Sequence, residues 1–150
     1  MSRFRGKFVY TIDSKGRINI PFKFRKVLSP SANETFVVCR APNNCLRAYP
    51  KDAWDSYEDE LASRPQTPET LQHLRLLGNT LSESTLDKQG RIKLDTDQIA
   101  IAGLEKSITL IGYTGYIEIW STERFSEYID KADDFDKVFF QSVEAGLRAK

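Results

Sequence analysis

Two nine-residue stretches set the same reactive side chains at the same spacing: IDSKGRINI over residues 12–20 and LDKQGRIKL over 86–94. Each places a carboxylate four residues before a guanidinium, Asp13 before Arg17 and Asp87 before Arg91, with Gly16 or Gly90 between them. Two chemistries are open to such a set. The aspartates could converge as a proton-sharing acid pair, or the turns could hold out their cations, Lys15 and Arg17 first, to an anion. The acid pair needs one carboxyl to stay protonated, and an arginine in the same tight turn favours the ionised form of each. Anion binding needs only stiffness. A turn braced by a charge-assisted hydrogen bond from Arg17 to Asp13 has little ordering entropy left to lose on meeting a ligand.

Nothing else in the sequence offers a catalytic set. There is no Ser/His/Asp order and no phosphate loop, and Cys39, Cys45 and the single histidine, His73, fall short of a four-ligand zinc site. The sequence therefore predicts no enzyme, no metal and no cofactor. Cys39 and Cys45 enclose RAPNN and read as reduced, half-buried small residues, a disulfide across the Asn43-Asn44 turn being the lesser reading.

Charge points to a partner. Net charge is +1, yet residues 1–28 carry Arg3, Arg5, Lys7, Lys15, Arg17, Lys23, Arg25 and Lys26 against Asp13 alone, so that segment is +7 and the rest −6. A polarised charge steers a polyanion without making the whole chain basic. The first motif sits among these cations, whereas Asp95, Asp97 and Glu105 follow the second, so the first alone reads as an anion site. An assembly module whose basic face meets an acidic protein is the other reading of the same charge.

The elements that must position these residues also come in duplicate. Alternation at Phe8, Tyr10 and Ile12, the turn Asp13-Ser14-Lys15-Gly16, and resumed alternation at Ile18 and Ile20 predict a hairpin ended by Pro21. FKFRKVL follows as a short helix, TFVVCR and CLRAYP as a second hairpin, and Ala53, Trp54, Tyr57 and Leu61 as one face of a helix. Thr67 and Pro68 open another helix, running to Gly78. The order then repeats: Asp87 and Arg91 follow Asp13 and Arg17 by 74 positions, while Trp120, Phe125 and Tyr128 follow Tyr49, Trp54 and Tyr57 by 71, so the second copy has lost three residues in its middle. These aromatics read as packing. Asp95 and Gly103 bound a second short helix, and Ser121 caps TERFSEYIDK. The whole reads as one α+β domain over 1–150, two repeats at about 5–62 and 81–132 sharing a barrel-like core, with a helix over 133–148. That last helix, with three phenylalanines, must dock on its own barrel or on a neighbouring subunit. No apolar run reaches the ~20 residues of a membrane span, and the first ten residues lack a signal sequence, which predicts a cytoplasmic protein.

FRGKFVYTIDSKGRINIPFKFR, YPKDAWDSYEDEL, LDKQGRI and YIEIW together resemble the signature stretches of the MraZ family of bacterial transcriptional regulators. The resemblance implies a duplicated AbrB-like β-barrel of the double-psi or swapped-hairpin type with peripheral helices. It also implies a ring-shaped homo-oligomer, octamer-like or larger, that is nucleoid-associated and represses the division and cell-wall gene cluster through short direct repeats in double-stranded promoter DNA. It assigns DNA binding to Arg17, assisted by Lys15, Arg3, Arg5, Lys7 and Lys23. Where the family's second motif continues with Pro and, four residues on, Arg, this chain has Asp95 and Ile99. That departure gives Asp87, Gly90 and Arg91, like Asp13 and Gly16, a structural role.

Overall fold

A computed structural model describes residues 2–148. The first copy supplies β1 (Phe4–Thr11), β2 (Arg17–Asn19), α1 (Phe22–Arg25), a 3₁₀ turn (Pro30–Ala32), β3 (Thr35–Ala41), β4 (Cys45–Pro50) and α2 (Lys51–Ser63). After α3 (Pro68–Thr80) come β5 (Ser82–Thr85), β6 (Arg91–Lys93), α4 (Thr96–Ala102), β7 (Ser107–Thr114), β8 (Tyr116–Ser121) and α5 (Thr122–Lys131), and α6 (Phe135–Arg148) is the last of the described elements.

The local signals act as expected at most helix ends. Thr67 accepts from the Thr70 amide and Ser121 from the Arg124 amide, each satisfying a donor that a helix start leaves orphaned. Gly103, at φ 60°, stops α4. α3 runs through Gly78 to Thr80, because an isolated glycine lowers helix propensity without breaking the hydrogen-bond ladder.

Strand pairing corrects one expectation. The arms of the first motif do not form a hairpin with each other: β1 pairs antiparallel with β7, and β2 pairs with β6. In the second copy β5 pairs with β3. The sheets are therefore a six-stranded antiparallel one in the order β1-β7-β8-β4-β3-β5 and a two-stranded ribbon β2-β6. Among the described residues only the β3–β4 and β7–β8 pairs are hairpins within one copy. The physical reason is burial. Set against β6, β2 places Ile18 opposite Ile92, and both side chains are lost to solvent, each contributing about 1.5–3 kcal/mol.

Register also locates the three missing residues. Phe36 pairs with Pro50 and its counterpart Ile108 with Ser121, an offset of 72 on β3 and 71 on β4. Two residues are thus lost between β6 and β7, and one in the β7–β8 turn.

One core serves both copies: Phe4, Ile18, Phe24, Phe36 and Leu46 pack with Ile92, Leu94, Ile108, Leu110 and Ile117. Two smaller clusters lie elsewhere. Tyr49, Trp54 and Tyr57 seat α2, and Trp120, Phe125 and Tyr128 seat α5, with ring centroids 5.1 Å apart for Tyr49 and Trp54 and 5.3 Å for the equivalent Trp120 and Phe125. Cys39 and Cys45 belong to these clusters and are fully buried free thiols, deeper than the sequence suggests. No residue of α6 is buried, and Phe135 and Phe140 are 77% and 64% exposed, so the terminal helix does not dock its apolar face on its own chain.

Candidate nucleic-acid interface

The two turns have one geometry. In the first, the Asp13 carboxylate accepts from the Lys15 and Arg17 amides at 2.9 Å each and from Arg17 Nε at 2.6 Å, while the Gly16 amide donates to the Asp13 carbonyl. In the second, Asp87 accepts from the Gln89 and Arg91 amides and from Arg91 Nε, all at 2.9 Å. Gly16 and Gly90 take φ values of 79° and 75°, which few side chains tolerate. The hydrogen bonds from the arginine amides, opposed only in part by desolvation, hold both aspartates below the ordinary carboxylate range. An ionised carboxylate has no proton to share, so neither turn holds the protonated form that a proton-sharing acid pair requires.

The β2–β6 ribbon brings the turns together. Arg17 lies opposite Lys93 and Asn19 opposite Arg91. Each turn is tied to the other copy: the Leu94 amide donates to the Gly16 carbonyl at 2.8 Å, and the Ile20 amide to the Gly90 carbonyl at 2.9 Å. Arg91 Nη1 also reaches to 3.9 Å from the Asp13 carboxylate. Arg17 and Arg91 are held by backbone and carboxylate yet keep 33% and 23% of their side-chain surface, and Lys15, Lys88 and Lys93 are exposed. Such a surface holds fixed donors toward an anion at little entropic cost.

Arg3, Arg5 and Lys7 lie on or just before β1, which pairs with β7 and not with the ribbon. Arg3 and Arg5 are exposed at the start of β1, and the Lys7 amine lies 5.8 Å from the Phe125 ring, beside α5. From Lys7 to Thr11 the strand alone advances roughly 13 Å, so closeness in sequence is distance along an extended chain. Lys23 is exposed on α1.

Surroundings differ from the sequence reading in a second way. The hollow beside the first turn is lined by Lys15, Gly16, Lys93, Asp95 and Ile99, so the acid that follows the second motif in sequence borders the first in space. A residue missed from sequence is Arg47. It pairs with Glu118 at 3.0 Å and stacks on Tyr116 at 4.3 Å, on the strand pair where β4 meets β8. Its only sequence signal was a charge among apolar strand residues.

A family model described as "MraZ protein, putative antitoxin-like" matches residues 3–75 and 77–143. The chain belongs to the MraZ family. Among its relatives, a protein of Limosilactobacillus fermentum is 37% identical over 137 residues, covering 90% of this chain and 93% of the relative. One of Natranaerobius thermophilus is 37% identical over 143 residues, covering 94% and 97%, and one of Desulfitobacterium hafniense 36% identical over 132, covering 87% and 90%. All three are named Transcriptional regulator MraZ. Both motif turns fall inside the matched segments of the MraZ family model. Among the described residues no helix is long and apolar enough to cross a membrane, and no His, Cys, Asp and Glu cluster could hold a metal.

Proposed function

We propose that this chain is a sequence-specific DNA-binding transcriptional regulator, a repressor of the division and cell-wall gene cluster that acts in the cytoplasm, at the nucleoid. The observation that supports it best is the pairing of two identically braced turns on one ribbon, presenting Arg17 and Arg91 beside exposed Lys15, Lys88 and Lys93. Arg17 donates to a base edge in the major groove, guanine O6 and N7 being the best match to its fork, and the lysines meet phosphates. Arg3, Arg5, Lys7 and Lys23 add long-range attraction. Asp13, Gly16, Asp87 and Gly90 shape the turns.

The residues 1–150 form one domain of two interlocked repeats, the AbrB-like swapped-hairpin barrel, a reading favoured by the exchange of β1, β2, β5 and β6 between copies. One protomer offers a small patch. Useful affinity comes from a ring-shaped homo-oligomer, octamer-like or larger, engaging short direct repeats together, which raises the effective concentration of each further contact. The uncovered phenylalanines of α6 favour such association. Footprinting on the duplex upstream of the protein's own gene, with native mass measurement of the bound species, tests the proposal. Protection of repeated short sites by an oligomer is expected; no protection at low salt would contradict it.

A further inference from the structure

Arg25 ends α1 of the first copy, yet it lies under the second turn. Its Nε donates to the Ile20 carbonyl at 3.0 Å, and the guanidinium stands 5.4 Å from the Phe22 ring centroid. A Cβ built on Gly90 would lie 2.6 Å from its Cζ, 2.7 Å from Nε and 2.8 Å from Nη1, so the guanidinium touches that glycine directly. The Ile20 amide donates to the Gly90 carbonyl, so one residue anchors both the cation and the turn. Among the described residues Arg25 has no carboxylate in ion-pair range, and its Nη groups make no hydrogen bond.

The equivalent place in the other copy is filled differently. Ile99, 74 residues on, sets its Cδ1 methyl 3.1 Å from where a Gly16 Cβ would stand. Backbone ties at the two turns match, Leu94 to Gly16 and Ile20 to Gly90. The two seats therefore differ in chemistry while the frame is shared: a methyl group under the first turn, a cation under the second. Asp95 lines the hollow at the first turn, whereas the second receives its extra charge from the opposite copy.

We propose that Arg25 is a phosphate-binding residue of the second turn, supplied by the first copy, and that with Lys88 and Arg91 it makes this turn a contact point for the sugar–phosphate backbone of a nucleic acid. Nε is occupied by a carbonyl, which orients the planar head and leaves the Nη pair for the two oxygens of a phosphodiester. This inference rests on the DNA-binding reading, and it goes beyond it by giving the second turn its own ligand group.

The test is the salt dependence of duplex binding for the full-length protein, the variants Arg25→Ile and Arg25→Lys, and the reverse change Ile99→Arg. Isoleucine at 25 reproduces the seat already present under the first turn. Arg25→Ile is expected to weaken binding to all sequences alike and to flatten the slope of log K against log salt by about 0.9 for each protomer engaged, the loss of one neutralised phosphate apiece. Arg25→Lys retains the slope, and Ile99→Arg steepens it. Weaker binding by Arg25→Ile with the original slope would mean a structural role only and overturns the proposal. Should that variant not fold, the Arg25 Nε–H resonance of the unaltered protein decides: it shifts on adding duplex if the proposal holds, and stays still while Arg17 Nε shifts if it fails. Absence of any duplex binding by the unaltered protein overturns the DNA reading itself.

Discussion

Ile18 of β2 stands directly opposite Ile92 of β6, and the two are the same residue of the duplicated unit, 74 positions apart. Where a residue meets its own duplicate, a local two-fold axis passes between the strands. Arg47 opposite Glu118, 71 positions apart on β4 and β8, marks a second such point. The strands between them follow the same rule, β1 against β7 and β5 against β3, so each copy completes the other. The turns bearing Arg17 and Arg91 share a face because of this exchange.

Neither copy should fold as a monomer by itself. Peptides covering residues 1–66 and 67–150 each leave β1 or β5 without its partner strand and expose half of the common core. Circular dichroism and sedimentation are expected to show no cooperatively melting monomer of either piece, with folding on mixing. A cooperative monomer of residues 1–66 would contradict the exchange.

Alanine at the two turn glycines should differ in cost. At Gly16 the added methyl would meet the Leu94 carbonyl oxygen at 2.9 Å, part of a backbone that cannot withdraw, while at Gly90 it meets the movable Arg25 head. Both carry the strain of a positive φ, worth more than about 1 kcal/mol. Gly16→Ala should lower the melting temperature more than Gly90→Ala, as read by calorimetry.

Acid should loosen the turns late. Asp13 and Asp87 are held below their ordinary range by the arginine amides, so their stabilising contribution is complete above the unfolded aspartate value of about 3.9 and is lost as pH falls through the lowered folded values. Stability against denaturant is expected to show no loss from these groups between about pH 5 and 8, and to decline below about pH 4. Asp13→Asn with Asp87→Asn should flatten that acid limb; an unchanged limb would remove the aspartates as its cause.

Burial pushes the Cys39 thiol up to about 11 and the Cys45 thiol up to about 12. Both should resist iodoacetamide at pH 8 in the folded protein and react on unfolding, since the thiolate is the nucleophile. Mass spectrometry of the quenched reaction checks this, and rapid labelling of either in native buffer would contradict the packing around Trp54 and Trp120.

The capped helices at Thr67 and Ser121 and the stacked aromatics of α2 and α5 were legible because each depends on residues a few positions apart. Strand partners were not. Alternation at Phe8, Tyr10 and Ile12 fixes which side of β1 is buried but says nothing about what lies alongside, and the tight Asp13–Arg17 turn looked like a reason to pair its own arms. The same limit misplaced the charges: Asp95 and Arg25 each lie against the turn of the opposite copy, a neighbourhood only pairing can create.

We propose that Arg17 and Arg91, held on one ribbon, meet a single duplex, so that Arg91 departs from the purely structural role read for it in the sequence. Equilibrium binding of Arg17→Ala and Arg91→Ala to the upstream duplex at two salt concentrations tests it most directly. The account predicts that each substitution costs about 1–3 kcal/mol per contact, with Arg17→Ala also relaxing base preference. Binding by Arg17→Ala with the affinity and base preference of the unaltered protein would contradict it.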